Sequence, residues 1–138
     1  MTNFTSNFSH HSKGAAPSER VNPVLQIANA ASFVAQKLLI SELRPPRKRA
    51  QDILYIHDTL DLFGAELTSL NAIWINDLRR TLPKSAVSRV ESAHRDKFSE
   101  VTDAIREAAR MPLDRRLTAE RVQLACAYGL QQLFAPPR

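Results

Sequence analysis

The chain has 138 residues, of which 43% are hydrophobic, and a formal net charge of +5, which suits one domain with a modest core. Its three glycines, Gly14, Gly64 and Gly129, exclude the glycine-rich loops of P-loop and dinucleotide-binding proteins and are too few for a strand-rich fold. No apolar run is long enough to span a bilayer, and the N-terminus lacks a secretory signal. We expect an all-α protein of the cytoplasm, where a lone cysteine stays reduced.

Residues 1–22 are rich in Ser, Thr, Asn and His and show no sustained period, so we predict a mobile arm. The adjacent pair His10-His11 has no third ligand nearby, and a solvated tail explains it better than a metal site. Residues 23–138 predict a single helical domain with about five helices in a bundle. The short segment 24–28 is the only strand candidate, and Asn29 can cap the helix that follows it.

The first helix is expected to end near Leu43 and to be the most buried one, because apolar residues surround it on most sides. Lys37 falls between Phe33 and Val34 on the helical wheel. A lysine in this position either extends its long stem outward to solvent or has a specific partner.

A basic elbow, which we define as residues 44–49, follows this helix with the sequence Arg-Pro-Pro-Arg-Lys-Arg. Its prolines end the first helix, and Pro46 can begin the next. The cations then lie near a helix N-terminus, where the helix dipole disfavours positive charge. This placement indicates a bound anion or compensation by nearby carboxylates, with a solvated basic loop as the alternative.

The second helix, about 47–63, has an apolar face beside a polar ridge, and Gly64 is expected to end it. A third helix, about 65–82, carries Trp74 within its apolar stripe, so we predict a core tryptophan. His57, beside the core face, suits a hydrogen-bonded structural role better than catalysis. The ridge consists of Lys48, Asp52, Tyr55 and Thr59.

A long amphipathic fourth helix is predicted over 84–110, with His94 on its apolar stripe and charges of both signs elsewhere. So narrow a stripe can pack in the chain's own core or on a second chain. The last helix, about 118–134, begins at the capping residue Thr118. It places Cys126 and Gly129 on its buried face, where the cysteine acts as a small hydrophobic residue and the glycine permits close helix approach.

Three stretches resemble the helical half of nucleotidyltransferase-like proteins, a group that includes AbiEii-type toxins and related bacterial proteins. They are FVAQKLLI at 33–40, Arg44, and RKRAQDILY at 47–55. In that family a lysine-bearing apolar helix precedes a basic loop and an Arg/Lys-x-x-Asp helix start. The resemblance implies that Lys37 faces the triphosphate and that Lys48 and Asp52 belong to the pocket wall.

The family's catalytic strand motif, Gly-Ser followed by Asp-x-Asp, is missing from this sequence, and Tyr55 stands where many relatives have a second aspartate. Nucleotidyl transfer needs carboxylates that hold Mg²⁺. We therefore expect no catalysis by this chain alone and no resident cofactor. Mg²⁺ with a nucleotide is expected only if a catalytic region is supplied elsewhere.

The leading hypothesis is thus a non-catalytic helical module that binds the phosphate of a nucleotide or RNA, with no catalytic residue and no metal ligand. One alternative is a small basic nucleic-acid-binding or regulatory protein that uses the elbow together with Lys13 and Arg20. Another is an assembly protein that self-associates, or binds another protein, through the 84–110 helix. No membrane partner is expected. The predicted phosphate-binding or nucleotide-binding residues are Lys37, Arg44, Arg47, Lys48, Arg49 and Asp52.

Overall fold

A computed structural model of the chain describes residues 23–138, and within them it contains six α-helices and no strand. This confirms the predicted all-α fold. The predicted arm and the histidine pair lie outside the described residues. No helix within the described range is long and apolar enough to cross a membrane. The helices are α1 (Pro23–Ile40), α2 (Pro46–Leu62), α3 (Leu67–Ile73), α4 (Lys84–Asp96), α5 (Asp103–Arg110) and α6 (Ala119–Leu133).

Helix α1 contacts α2, α3 and α4 and buries Phe33, Val34 and Leu38. The predicted central position belongs instead to α6, which contacts α2, α3, α4 and α5. Helix α1 begins earlier than the sequence predicted. The strand candidate at 24–28 is wrong because these residues are helical, and Asn29 is an exposed residue within α1 and not its cap. Pro23 occupies the first helical position, which its fixed φ angle favours, and the alanines that follow are strong helix formers.

Helix α2 packs against α5 and α6, and Gly129 of α6 lies against the Leu60 side chain of α2. A Cβ atom added at Gly129 would lie 2.9 Å from Leu60 Cδ1, which is closer than carbon atoms normally approach. The predicted role of Gly129 in close helix packing is therefore confirmed.

Helix α3 continues into one π-helical turn, Trp74–Leu78, and a 3-10 turn, Arg79–Thr81. Trp74 is fully buried, as predicted, and meets Phe134 edge to face, with ring centroids 4.9 Å apart. Its indole Nε1 donates to Glu91 Oε2 at 2.9 Å, which satisfies the one polar atom that this large side chain buries.

The predicted single helix over 84–110 is wrong, because α4 ends at Asp96 and α5 begins at Asp103. We call residues 97–102 the α4–α5 connection. Phe98 is only 1% exposed, and its carbonyl accepts a hydrogen bond of 2.6 Å from Gln123 Nε2 on α6. Thr102 caps α5, because its Oγ1 accepts from the Ile105 N–H at 3.3 Å. Tertiary packing and a cap thus replace the helical hydrogen bonds that the break removes.

This break also changes the interpretation of the apolar stripe. Its members are distributed over two helices and a connection, so the continuous seam proposed for pairing with a second chain does not form. Most of the stripe is buried within the chain's own core: Val87, Val90, Phe98, Ile105 and Ala108.

Candidate functional site

Asp52 is the centre of a buried ion cluster that joins α1, the elbow and α2. Its side chain is 2% exposed. Asp52 Oδ1 accepts from Lys37 Nζ at 2.8 Å, and Oδ2 accepts from Arg44 Nε at 2.9 Å. A second Arg44 nitrogen, Nη2, donates to Oδ1 at 3.3 Å, so the arginine binds both carboxylate oxygens. A buried carboxylate with two cationic partners meets the usual requirement for burying charge.

Lys37 therefore has a specific partner and does not extend into bulk solvent, since its side chain is only 17% exposed. Its Nζ also lies 5.4 Å from the ring centroid of Phe33 and 5.5 Å from that of Tyr55, which allows cation–π attraction. One carboxylate and two rings thus hold the ammonium group between α1 and α2.

Arg49 has a different role, because it braces the elbow through backbone carbonyl groups. Its Nε donates to the Ser41 carbonyl at 3.1 Å, and its Nη2 donates to the Arg44 carbonyl at 3.0 Å. The Ser41 carbonyl also accepts from the Arg44 N–H at 3.2 Å, in the 3-10 turn Ser41–Leu43 that follows α1. No carboxylate partner of Arg49 occurs among residues 23–138.

Arg47 and Lys48 project from the first turn of α2, and both are exposed. The Arg47 side chain is 80% exposed, and its Nη1 lies 3.7 Å from Glu107 Oε2, a separation at which a surface ion pair contributes little. Lys48 forms no ion pair with any described residue. These two are therefore the elbow cations that a large polyanion can reach most directly.

The six predicted site residues are thus close in the structure but divide into three roles. Lys37 and Arg44 pair with Asp52 and leave one net positive charge, Arg49 supports the elbow, and Arg47 and Lys48 face outward. Compensation of positive charge by a carboxylate was one predicted explanation for the basic elbow. It holds for Arg44, which pairs with Asp52.

A pocket of about 320 Å³ lies beside this cluster, between α1, α2 and the α4–α5 connection. This volume is at the lower end of the roughly 300–1,000 Å³ typical of ligand pockets. Three site residues that the sequence predicted border it, Lys37, Arg49 and Asp52. The other lining residues were not predicted as site residues: Leu38, Ser41, Ile53, Ile56, Lys97, Phe98, Thr102, Asp103 and Ala104.

The unpredicted part of this pocket depends on the break in the 84–110 segment. The sequence 99–103, Ser-Glu-Val-Thr-Asp, contains a helix start signal, a capping Thr followed directly by an acidic residue. The apolar stripe continues on both sides of this segment and therefore predicts one uninterrupted helix. The capping residue Thr102 is the sequence feature that indicates the end of the connection and the start of α5.

The surroundings of Cys126 and His57 favour structural roles for both side chains. Burial, with a smaller contribution from the negative charge of Asp58, raises the pKa of the Cys126 thiol to about 12, so the thiol stays protonated and unreactive at neutral pH. His57 Nδ1 lies 3.0 Å from Asp58 Oδ1, and Asp58 also accepts from Arg115 Nη2 at 2.7 Å. In the described part of the chain, no three His, Cys, Asp or Glu side chains are grouped to hold a metal ion.

No protein-family model, curated protein or solved structure matches this chain. The resemblance to the helical half of nucleotidyltransferase-like proteins therefore remains a prediction.

Proposed function

We propose that the chain is a non-catalytic helical module that binds phosphate groups, of a nucleotide or of RNA, at the outer face of the elbow. The observation that carries this proposal is the positive charge left over after internal pairing. Five cations are grouped at the elbow and Lys37, and only two carboxylates, Asp52 and Glu107, pair with them. The resemblance to nucleotidyltransferase-like proteins suggests the same class of ligand.

The local backbone supports anion binding at the same place. Only Arg47 and Lys48 offer free N–H groups in the first turn of α2, because Pro46 has no N–H and the Arg49 N–H donates to the Pro45 carbonyl at 2.8 Å. These two N–H groups lie at the positive end of a 17-residue helix. Arg47 and Lys48 increase this positive potential, and no acidic residue lies in the first turn. A bound phosphate relieves the mutual repulsion of these charges, because it accepts hydrogen bonds from the same groups.

A titration of the protein with Mg-ATP and with a single-stranded RNA oligonucleotide tests the proposal. We expect the largest amide resonance shifts at Arg47 and Lys48. The two arms distinguish the sources of phosphate: a mononucleotide site saturates with ATP, whereas an RNA site responds mainly to the oligonucleotide. An absence of shifts at the elbow with both ligands at low salt contradicts the proposal.

The variant Arg47→Gln/Lys48→Gln provides a second measurement. Losing two phosphate contacts should reduce affinity at least about tenfold at low salt and make the salt dependence of RNA binding shallower, by about 1.4 in the slope of log K against log salt. The matched control is Lys84→Gln/Arg95→Gln, which removes the same charge from exposed positions on α4. Equal losses in both variants mean that binding follows net charge and not the elbow.

A further inference from the structure

The pocket beside the ion cluster has an apolar side and a positively charged side. Leu38, Ile56 and Phe98 are buried core residues that also line it, and Ile53 is partly buried beside them. This wall cannot form hydrogen bonds, so it favours an apolar group over water. The pocket volume of about 320 Å³ suits a small molecule.

The carboxylates that border the pocket are already engaged by cations. Asp52 is held by Lys37 and Arg44, and the exposed Asp103 accepts from Arg106 Nη1 at 2.7 Å. The other two cations that line the pocket, Arg49 and Lys97, are less well paired with carboxylates. Arg49 binds only carbonyl oxygens, and Lys97 lies 3.5 Å from a largely exposed carboxylate of Glu42. The local balance of charge in the pocket is therefore positive.

Two further kinds of hydrogen-bond donor lie at the pocket, backbone N–H groups and a serine hydroxyl. Both favour an anionic oxygen of a ligand as the acceptor. Thr102, Asp103 and Ala104 place the N-terminus of α5 in the lining, where first-turn N–H groups have no acceptor within the helix. Ser41, which is 8% exposed, also lines the pocket, and its buried hydroxyl has no hydrogen-bond partner. A buried polar group without a partner is rare in folded proteins and needs an explanation. The hydroxyl oxygen itself is buried, so donation to a ligand in the pocket requires the Ser41 side chain to turn toward that ligand.

We propose that this pocket binds a small organic anion, with its apolar body against Leu38, Ile53 and Phe98 and its anionic head toward Lys97 and Arg49. The Ser41 hydroxyl donates to the head group, which is a carboxylate or a phosphate ester. This site is separate from phosphate binding at Arg47 and Lys48, which lie outside the pocket lining.

Four probes test the ligand chemistry: hexanoate, hexyl phosphate, 1-hexanol and inorganic phosphate. We expect at least one of the two organic anions to bind saturably, with a Kd on the order of 1 mM or tighter. We expect hexanol and inorganic phosphate to bind at least tenfold more weakly. Hexanol lacks the anionic head group, and inorganic phosphate lacks the apolar chain. The comparison of hexanoate with hexyl phosphate identifies the head group.

Two variants test the residues. Lys97→Gln should weaken binding of the organic anion at least about fivefold, as expected for the loss of one charge-assisted contact. The control Lys84→Gln, at an exposed position on α4, should bind like the original protein. Ser41→Ala should weaken binding while leaving the unliganded protein at least as stable, because the variant no longer buries an unpaired hydroxyl. A merely structural serine would lose stability and leave affinity unchanged.

Failure of this proposal is distinguishable from failure of the elbow proposal. Arg47→Gln/Lys48→Gln should leave hexanoate and hexyl phosphate affinity within about twofold of the original, because these side chains do not line the pocket. Equal affinity for hexanol and the organic anions overturns the pocket proposal. So do resonance shifts outside the pocket lining, or no saturable binding by either organic anion.

Discussion

The elbow and the α4–α5 connection both interrupt the helical pattern, but the information that specifies each is different. The elbow is determined locally, since Pro45 and Pro46 prevent α1 from continuing and start α2. The α4–α5 connection contains neither proline nor glycine. It is fixed by the burial of Phe98 and by a hydrogen bond from Gln123, a residue on another helix. Local sequence therefore specifies the elbow, whereas the connection depends on tertiary packing together with the local cap at Thr102.

This difference has a consequence for the candidate sites. The outer face of the elbow contains its cations within one short segment, so sequence analysis identified them together. The pocket joins α1 and α2, which are consecutive in the chain, to the distant α4–α5 connection. The side of the pocket that Lys97 and Phe98 form depends on the interruption that sequence analysis did not predict. The two proposed binding sites thus differ in how strongly each depends on the packed core.

The largest expected effect is at the connection. Phe98→Ala removes a fully buried ring and should reduce the free energy of unfolding by about 3–5 kcal/mol, the usual cost of such a truncation. Chemical denaturation measures this change. The control is Leu43→Ala next to the elbow, where the side chain is 85% exposed and truncation should cost less than about 0.5 kcal/mol. Similar losses in both variants would contradict the tertiary origin of the connection.

The next largest effect is expected at the buried ion cluster of Lys37, Arg44 and Asp52. Asp52→Asn leaves Lys37 and Arg44 without their negative partner and should cost about 3 kcal/mol, the lower end of the range for breaking a buried ion pair, since both cations can still reach solvent. Denaturation with Asp77→Asn as control measures it, because Asp77 is exposed. If the two variants unfold at the same denaturant concentration, the ion cluster does not stabilise the fold.

The smallest effect is expected for the elbow prolines. Pro46→Ala removes no hydrogen bond, because Pro46 is the first residue of α2 and alanine is a good helix former, so the loss should be about 0.4–1 kcal/mol and should arise in the unfolded chain. Pro46→Gly should cost roughly 1 kcal/mol more than Pro46→Ala. A loss for Pro46→Ala as large as that for Phe98→Ala would remove the distinction between the two interruptions.

Sequence analysis predicted the helical class, the core positions of Trp74 and Cys126 and the start of α2 at Pro46, because periodicity and proline act over short distances. The partners of the elbow cations were only partly predictable. Asp52 was placed with Lys48 on a polar ridge, yet it is buried and pairs with Lys37 and Arg44. Which cations a carboxylate neutralises depends on how two helices pack, and helical wheels do not contain that information.

The contact between Gly129 and Leu60 leaves room for a hydrogen atom and not for a methyl group, because a Cβ atom there would lie 2.9 Å from Leu60 Cδ1. A larger residue at position 129 therefore has to displace either the end of the Leu60 side chain or α2 itself. In the second case the displacement reaches Asp52, which lies about two turns earlier on the same continuous helix, so an uncharged position near the C-terminus is coupled to the ion cluster through α2.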